Sequence, residues 1–99
     1  MDVVLREPAG DEMSAYGVGF DDGGVLFTLV SENSLAAKTG FRTGDLLQGV
    51  NGVKIKTIQQ FKDYILTKNK GTQKHIFTVV RNQSSIKITI NQPLALILN

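Results

Sequence analysis

The sequence predicts an α+β fold that is mainly β, a small barrel or sandwich of five to six strands with one short and one longer helix. Short runs of Val, Ile, Leu and Phe lie between turn residues, two segments begin with helix-capping residues, and the last apolar stretch alternates apolar with polar side chains. With 99 residues, of which 41% are hydrophobic and 20% charged, the chain suits one domain with one modest core.

The first part of the chain is predicted to enter the fold through a hairpin. Residues 3–5 can begin a short strand, but Pro8 and the polar residues after it break any extension, so residues 1–15 are expected to be a lead-in segment. Residues 16–20 are predicted to be extended. The turn sequence at 21–24 is predicted to connect them to a buried strand at 24–30.

A short helix and a further strand are predicted next. Asn33 or Ser34 can cap a helix that runs through about Thr39, and Gly40 is placed to end it in a left-handed conformation. Residues 45–52 are predicted to be a strand followed by its Asn-Gly turn.

The longer helix has the clearest start. Thr57 as cap and Gln60 three residues later form a capping-box pattern, and Gly71 lies beyond a lysine-rich last turn. This pattern predicts a helix at 58–68.

Two strands are predicted to close the fold, at 74–81 and 86–90, joined by a turn at 82–85. In the second of them, isoleucines alternate with polar residues, which predicts one buried and one solvated face. We therefore expect a domain at 16–91, followed by an apolar tail at 92–99.

Residues 17–20, here called the glycine loop, are the main functional feature of the sequence. Gly17 and Gly19 flank Val18 and precede Phe20. Two glycines around one apolar residue let successive backbone N–H groups point into one concavity, which suits the carboxylate of a chain terminus. The simpler alternative is that these glycines only allow a bend where the lead-in joins the sheet.

The order of the motifs is similar to that of PDZ domains, whose carboxylate loop is Gly-Leu-Gly-Phe or a relative. The chain has Val18 at the Leu position of that loop, and Leu35 where the family usually has Pro. The resemblance covers residues 16–90, and the strand at 86–90 is similar to the circularly permuted arrangement of bacterial members. The other matching residues are Ser34, Ala36, Gly40, Gly44, Asp45, Asn51 and Gly52.

The resemblance implies a groove in which a guest peptide adds as a strand between the 16–20 strand and the 58–68 helix. The amides of the glycine loop would hold its terminal carboxylate. Where members that prefer Ser or Thr in the ligand carry His, this chain has Ile58, which implies an apolar ligand residue. Ile58 and Ile65 can equally be core residues. By helical spacing, the groove-lining residues are Ile58, Lys62 and Ile65.

Catalytic, metal-binding and nucleic-acid functions are not predicted. His75 is the only histidine and no sequence signature pairs it with a nucleophilic serine, and the acidic residues lack calcium-loop spacing. We therefore expect no catalytic residue, metal or cofactor. A net charge of +2 from scattered side chains gives no nucleic-acid footprint, and no apolar run is long enough to insert in a membrane.

The sequence thus predicts a peptide-binding or regulatory PDZ-like module that is not itself an enzyme. Its expected partner is a peptide or protein C-terminus, or a neighbouring domain of the same parent protein. The alternative is a non-binding accessory domain packed against a hydrolase domain that acts on proteins or polysaccharides. No signal peptide is recognisable, so the protein is expected to be either cytoplasmic or an excised piece of a longer secreted parent, and we favour the excised piece. The resemblance implies that such a parent is a periplasmic, envelope or extracellular protein, such as a protease.

Overall fold

The computed structural model describes residues 3–19, 22–68 and 74–91. Within these ranges, no helix is both long enough and apolar enough to cross a membrane. The elements of the described residues are β1 (Val3–Arg6), α1 (Gly10–Ala15), β2 (Val25–Val30), α2 (Leu35–Thr39), β3 (Leu46–Val50), β4 (Val53–Lys54), α3 (Ile58–Lys68), β5 (His75–Arg81) and β6 (Ser84–Ile90). The mainly β, α+β class predicted from the sequence is confirmed.

The strands form one antiparallel sheet in the order β1, β2, β3, β5, β6, and β4 pairs with β3. Asn51 and Gly52, with φ of 50° and 79°, form the turn between β3 and β4. Asn82 and Gln83, with φ of 51° and 65°, form the turn between β5 and β6. Positive φ at both central residues is what a two-residue hairpin of this kind requires, so the predicted Asn-Gly turn is confirmed.

Both predicted helices are confirmed by their capping contacts. The Ser34 hydroxyl accepts a hydrogen bond from the Ala37 amide at 3.1 Å, and Gly40 ends α2 with φ of 120°. The Thr57 hydroxyl accepts from the Gln60 amide at 3.1 Å. The Gln60 side chain returns to the backbone before the helix at 2.7 Å, which satisfies a further amide.

The predictions for the first part of the chain need correction. The predicted strand at 16–20 is wrong, because α1 ends directly before it and Tyr16 is the C-cap of that helix. The predicted hairpin, in which the turn at 21–24 follows that strand, is therefore also wrong. The expected lead-in at 1–15 instead contributes β1, which pairs with β2, and α1. Phe20, Asp21 and the tail at 92–99 lie outside the described residues.

Aromatic rings form the centre of the main core. Phe27 and Phe41 stack with centroids 4.8 Å apart, and Phe77 meets Phe41 edge-on at 5.4 Å. Phe61 of α3 lies 6.2 Å from Phe77, also edge-on. Both geometries favour the interaction of aromatic quadrupoles, so this group of rings holds α3 against the sheet.

A second, smaller cluster lies on the other face of the sheet. Leu26 and Leu46 belong to it, whereas their neighbours Phe27 and Leu47 belong to the main core. Successive side chains of a strand point to opposite faces, which separates the two clusters. Met13 of α1 closes the second cluster.

Candidate functional site

β1 provides one wall of the candidate site. It pairs with β2 on one side, and among the described residues no strand pairs with its other side. An outermost strand presents main-chain N–H and C=O groups to which an extended peptide can add. Val3 is 2% exposed, and Val3 and Leu5 both pack in the main core.

α3 provides the second wall. Phe61 is 2% exposed and Ile65 8% exposed, and both belong to the main core together with Val3. Ile58, at the start of α3, is half-buried and packs against the main core, as does Leu5. β1 and α3 therefore contribute side chains to one continuous apolar cluster.

The groove residues predicted on α3 differ in how much surface they offer. Ile58 keeps part of its side chain accessible, and Lys62 is exposed. Ile65 is almost wholly buried, as expected for a core residue. Ile58 is thus the apolar residue of this set with surface left to contact a ligand.

The glycine loop follows α1 and continues its C-terminal end. Gly17 has φ of 72°, a conformation that glycine adopts at low cost after a helix. Each described amide of the loop already has an acceptor within the chain. The pairs are Gly17 N with Ser14 O at 3.0 Å, Val18 N with Met13 O at 3.2 Å, and Gly19 N with Asp22 Oδ2 at 2.7 Å.

The structure does not bring the glycine loop and α3 together. Val18 and Tyr16 pack against the second cluster, whereas Ile58 and Ile65 pack in the main core on the opposite face of the sheet. The two walls of the predicted groove are therefore separated by the sheet. Phe20 lies outside the described residues.

The wall that sequence reasoning missed is β1. Its signal is the run Val3-Val4-Leu5, which has strand propensity but is too short to be decisive beside Pro8. The pairing with β2 identifies this run as a strand of the sheet. Val4 lies opposite Leu29, and the Thr28 hydroxyl donates a hydrogen bond to the Val4 carbonyl at 3.1 Å.

An ion pair fixes the end of β1 to α1. The Arg6 guanidinium donates to both carboxylate oxygens of Glu12, each at 2.8 Å. This bond, together with one from the Ala9 amide, lowers the pKa of Glu12 to about 2. The pair is solvent-exposed, so its role is to orient the two elements more than to stabilise the fold.

A family model of the PDZ domain matches residues 26–81, which is more than half of the chain. The chain belongs to the PDZ domain family. The match begins within β2 and ends with β5, so β1, α1 and the glycine loop of this PDZ domain precede the matched residues. No curated protein sequence matches the chain.

Solved structures share the fold over nearly the whole PDZ domain. A variant of the HtrA-type protease AlgW, solved with a decapeptide, superposes with a TM-score of 0.73 at 18% identity, covering 90% of this chain and 26% of that one. The HtrA3 PDZ domain bound to the phage-derived ligand FGRWV gives a TM-score of 0.69 at 18% identity, covering 92% of this chain and 81% of that one. The chain thus spans about a quarter of the AlgW protease.

Proposed function

We propose that this PDZ domain binds the C-terminal end of a peptide or protein as an added strand along β1, beside α3. The observation that carries the proposal is the position of β1: it is the outermost strand, and its inward side chains join the cluster packed by α3. A guest strand at this edge gains main-chain hydrogen bonds from β1 and apolar contact from the helix.

The ligand chemistry follows from the accessible part of α3. Ile58 is apolar and half-buried, which favours an apolar ligand side chain over a hydroxylated one. Lys62, one helical turn later, is exposed. Its side chain favours an acidic or polar residue on the solvent-facing side of the ligand. HtrA3 with FGRWV is an example of the same fold with an apolar terminal residue in its ligand.

Carboxylate binding by Gly17, Val18, Gly19 and Phe20 stays a prediction from the sequence. A ligand carboxylate at this loop has to replace the acceptors that Val18 and Gly19 already have. Asp22, the acceptor for the Gly19 amide, is itself an anion. Its pKa is lowered mainly by the hydrogen bond from the Gly19 amide and, to a smaller extent, by that from Lys54. An anionic side chain at the loop opposes a second carboxylate there.

The parent of this domain is proposed to be a larger bacterial protease of the cell envelope or a secreted one, in which the domain delivers substrates or regulates the catalytic domain. The support is the likeness of this chain to part of an HtrA-type protease. The chain covers about a quarter of the length of AlgW. The chain itself is proposed to act as the binding module.

The binding proposal is tested by calorimetry with a library of peptides that have free C-termini. We expect peptides with an apolar last residue to bind at micromolar or weaker Kd, about −8 kcal/mol or less in magnitude. Amidation removes charge-assisted bonds worth about 1.5–3 kcal/mol, so we expect affinity to fall roughly ten- to a hundredfold. Ile58→Asp is expected to abolish binding, and Leu66→Asp on the exposed part of α3 is the matched control.

Amide NMR shifts during the same titration locate the peptide. Shifts in β1 and at the start of α3, with those of Val18 and Gly19 unchanged, support the β1 groove. Shifts confined to Val18 and Gly19 would show that the ligand carboxylate binds at the glycine loop instead. If no peptide binds below millimolar concentration while the protein melts cooperatively, the peptide-binding proposal is wrong and the accessory-domain alternative replaces it.

A further inference from the structure

An apolar pocket of about 360 Å³ lies on α3, between that helix and the β3–β4 hairpin. Its helix residues are spaced by three and four positions and so lie along one stripe of α3. That stripe differs from the one that carries Ile58, Lys62 and Ile65. The lining residues are Val53, Lys54, Ile55, Gln60, Asp63, Tyr64 and Thr67.

The pocket leaves apolar surface open to solvent. Val53, at its rim, is 50% exposed although it belongs to a strand, and Ile55 forms a buried part of the wall. Tyr64 is half-buried and also lines the pocket. An exposed valine beside a concave apolar surface is suited to cover by another apolar segment.

The chain leaves the sheet close to this pocket. Ile90, the last residue of β6, pairs with His75, and the His75 Nδ1 atom lies 3.4 Å from the hydroxyl of Tyr64. The rings of Tyr64 and His75 have centroids 6.0 Å apart. The end of β6 is therefore linked to a wall of the pocket by the strand pairing of Ile90 with His75 and by the contact of His75 with Tyr64.

The segment that follows has the chemistry to fill it. Residues 94–98 read Leu-Ala-Leu-Ile-Leu, without a charged or polar side chain. Residues 92–99 lie outside the described residues. The three residues 91–93, which connect β6 to this segment, span up to about 10–11 Å when extended.

We propose that residues 94–98 dock in the pocket formed by α3 and the β3–β4 hairpin of the same chain. A segment tethered this close to its site has an effective concentration of about millimolar, which favours it over a free ligand or a second copy. The docked segment covers a stripe of α3 other than the one that carries Ile58, Lys62 and Ile65, and so leaves the proposed peptide groove open. The proposal does not depend on peptide binding.

Thermal unfolding of two chain lengths tests the proposal. We expect a chain that ends at Gln92 to melt cooperatively with a Tm about 5 °C or more below that of the full chain. Thr67→Lys introduces a charged side chain at the pocket rim and is expected to lower the Tm of the full chain, but not that of the shortened one. Leu66→Lys, beside it on α3 but outside the pocket lining, is the matched control and is expected to leave both unchanged.

A fluorescent reporter in the tail gives a second readout. The chain has no tryptophan, so Leu96→Trp provides a single emission signal. We expect blue-shifted emission at every protein concentration, returning to the solvent-exposed value with Thr67→Lys and not with Leu66→Lys. Solvent-exposed emission in the unaltered background, or a blue shift that Thr67→Lys leaves in place, overturns the proposal. A blue shift that appears only as sedimentation shows a dimer overturns it in favour of a second copy.

Discussion

Asp45 is a wholly buried carboxylate whose bonds hold distant parts of the chain together. Arg81 donates to both of its oxygens at 2.8 Å, and the Arg42 amide donates to one of them at 2.9 Å. Arg81 also donates to the Gly40 carbonyl at 2.8 Å. The turn between α2 and β3 is thereby fixed to the end of β5. The sequence around Asp45 gives no indication of its bond with Arg81, which lies 36 positions away.

Removing Arg81 from its pair with the buried Asp45 should be costly. We expect Arg81→Met to lower the free energy of unfolding by about 3–5 kcal/mol, because Asp45 is then left as a buried charge without its cation. Urea denaturation measures the change. Lys54→Met, which breaks the exposed pair of Lys54 with Asp22 at 3.3 Å, is the control and is expected to cause no measurable change. Equal effects of the two variants would show that Asp45 does not need its partner.

His75 is a buried histidine in a small polar network. It is 2% exposed, and its Nδ1 atom lies 3.4 Å from the Tyr64 hydroxyl. That hydroxyl accepts a hydrogen bond from the side-chain Nδ2 of Asn51 at 3.2 Å. His75 pairs with the apolar Ile90 of the neighbouring strand β6. Within the described residues, no carboxylate forms a hydrogen bond with it. Burial lowers the pKa of His75, so the folded state holds it neutral near pH 7.

Stability should therefore fall as the pH decreases below about 6.5, the pKa of histidine in an unfolded chain. Between that value and the lower folded-state pKa, the unfolded chain binds more protons, so protonation favours unfolding. We expect the midpoint of urea unfolding to drop between about pH 7 and 5, and His75→Gln to remove this drop. Glu12, with a pKa of about 2, acts in a separate and more acidic window. An unchanged pH profile in His75→Gln would assign the drop to another group.

Among the elements, those with local signals are predictable from the sequence. α2 and α3 begin at capping residues and α2 ends at Gly40, and the structure uses these same contacts. β6 alternates, with Ile88 and Ile90 buried while Lys87 and Thr89 are exposed. Each signal depends on residues within a few positions, which is why the sequence suffices.

α1 and β1 could not be found in this way. α1 has six residues, begins after Ala9 without a side-chain cap, and is far shorter than a helix that is stable alone. Its support comes from Met13 in the second cluster and from the pair of Glu12 with Arg6. The positive φ of Gly17 suits both a helix end and a carboxylate loop, so this glycine does not by itself reveal the helix that precedes it.

For the candidate site, the sequence predicted the helix wall and its accessible residue, Ile58. It placed the strand wall at 16–20, whereas the outermost strand beside the main core is β1. The difference arises from tertiary pairing: β1 is recognisable as a strand only through its bonds with β2. A short strand at the edge of a sheet carries little sequence signal of its own.

At the scale of the whole molecule, the two outermost strands have different roles. In the proposed binding mode β1 offers its outer side to a ligand, whereas β6 completes the core at the opposite edge of the sheet. β6 pairs with β5 over its full length, from Ser84 opposite Arg81 to Ile90 opposite His75. Ile88 also lies near Gly40, so β6 supports the end of α2.

The fold should consequently depend on β6. A chain that ends at Ser85 loses Ile88 and Ile90, which are 5% and 2% exposed, and the partly buried Ile86. Burial of each such side chain contributes about 1.5–3 kcal/mol, against a total stability of about 5–15 kcal/mol for a small domain. We therefore expect this chain to show no cooperative thermal transition by circular dichroism. The chain that ends at Gln92 keeps β6 and is expected to melt cooperatively, even where loss of the tail lowers its Tm. A cooperative transition at unchanged temperature in the chain ending at Ser85 would show that β6 is dispensable and that the core closes without it.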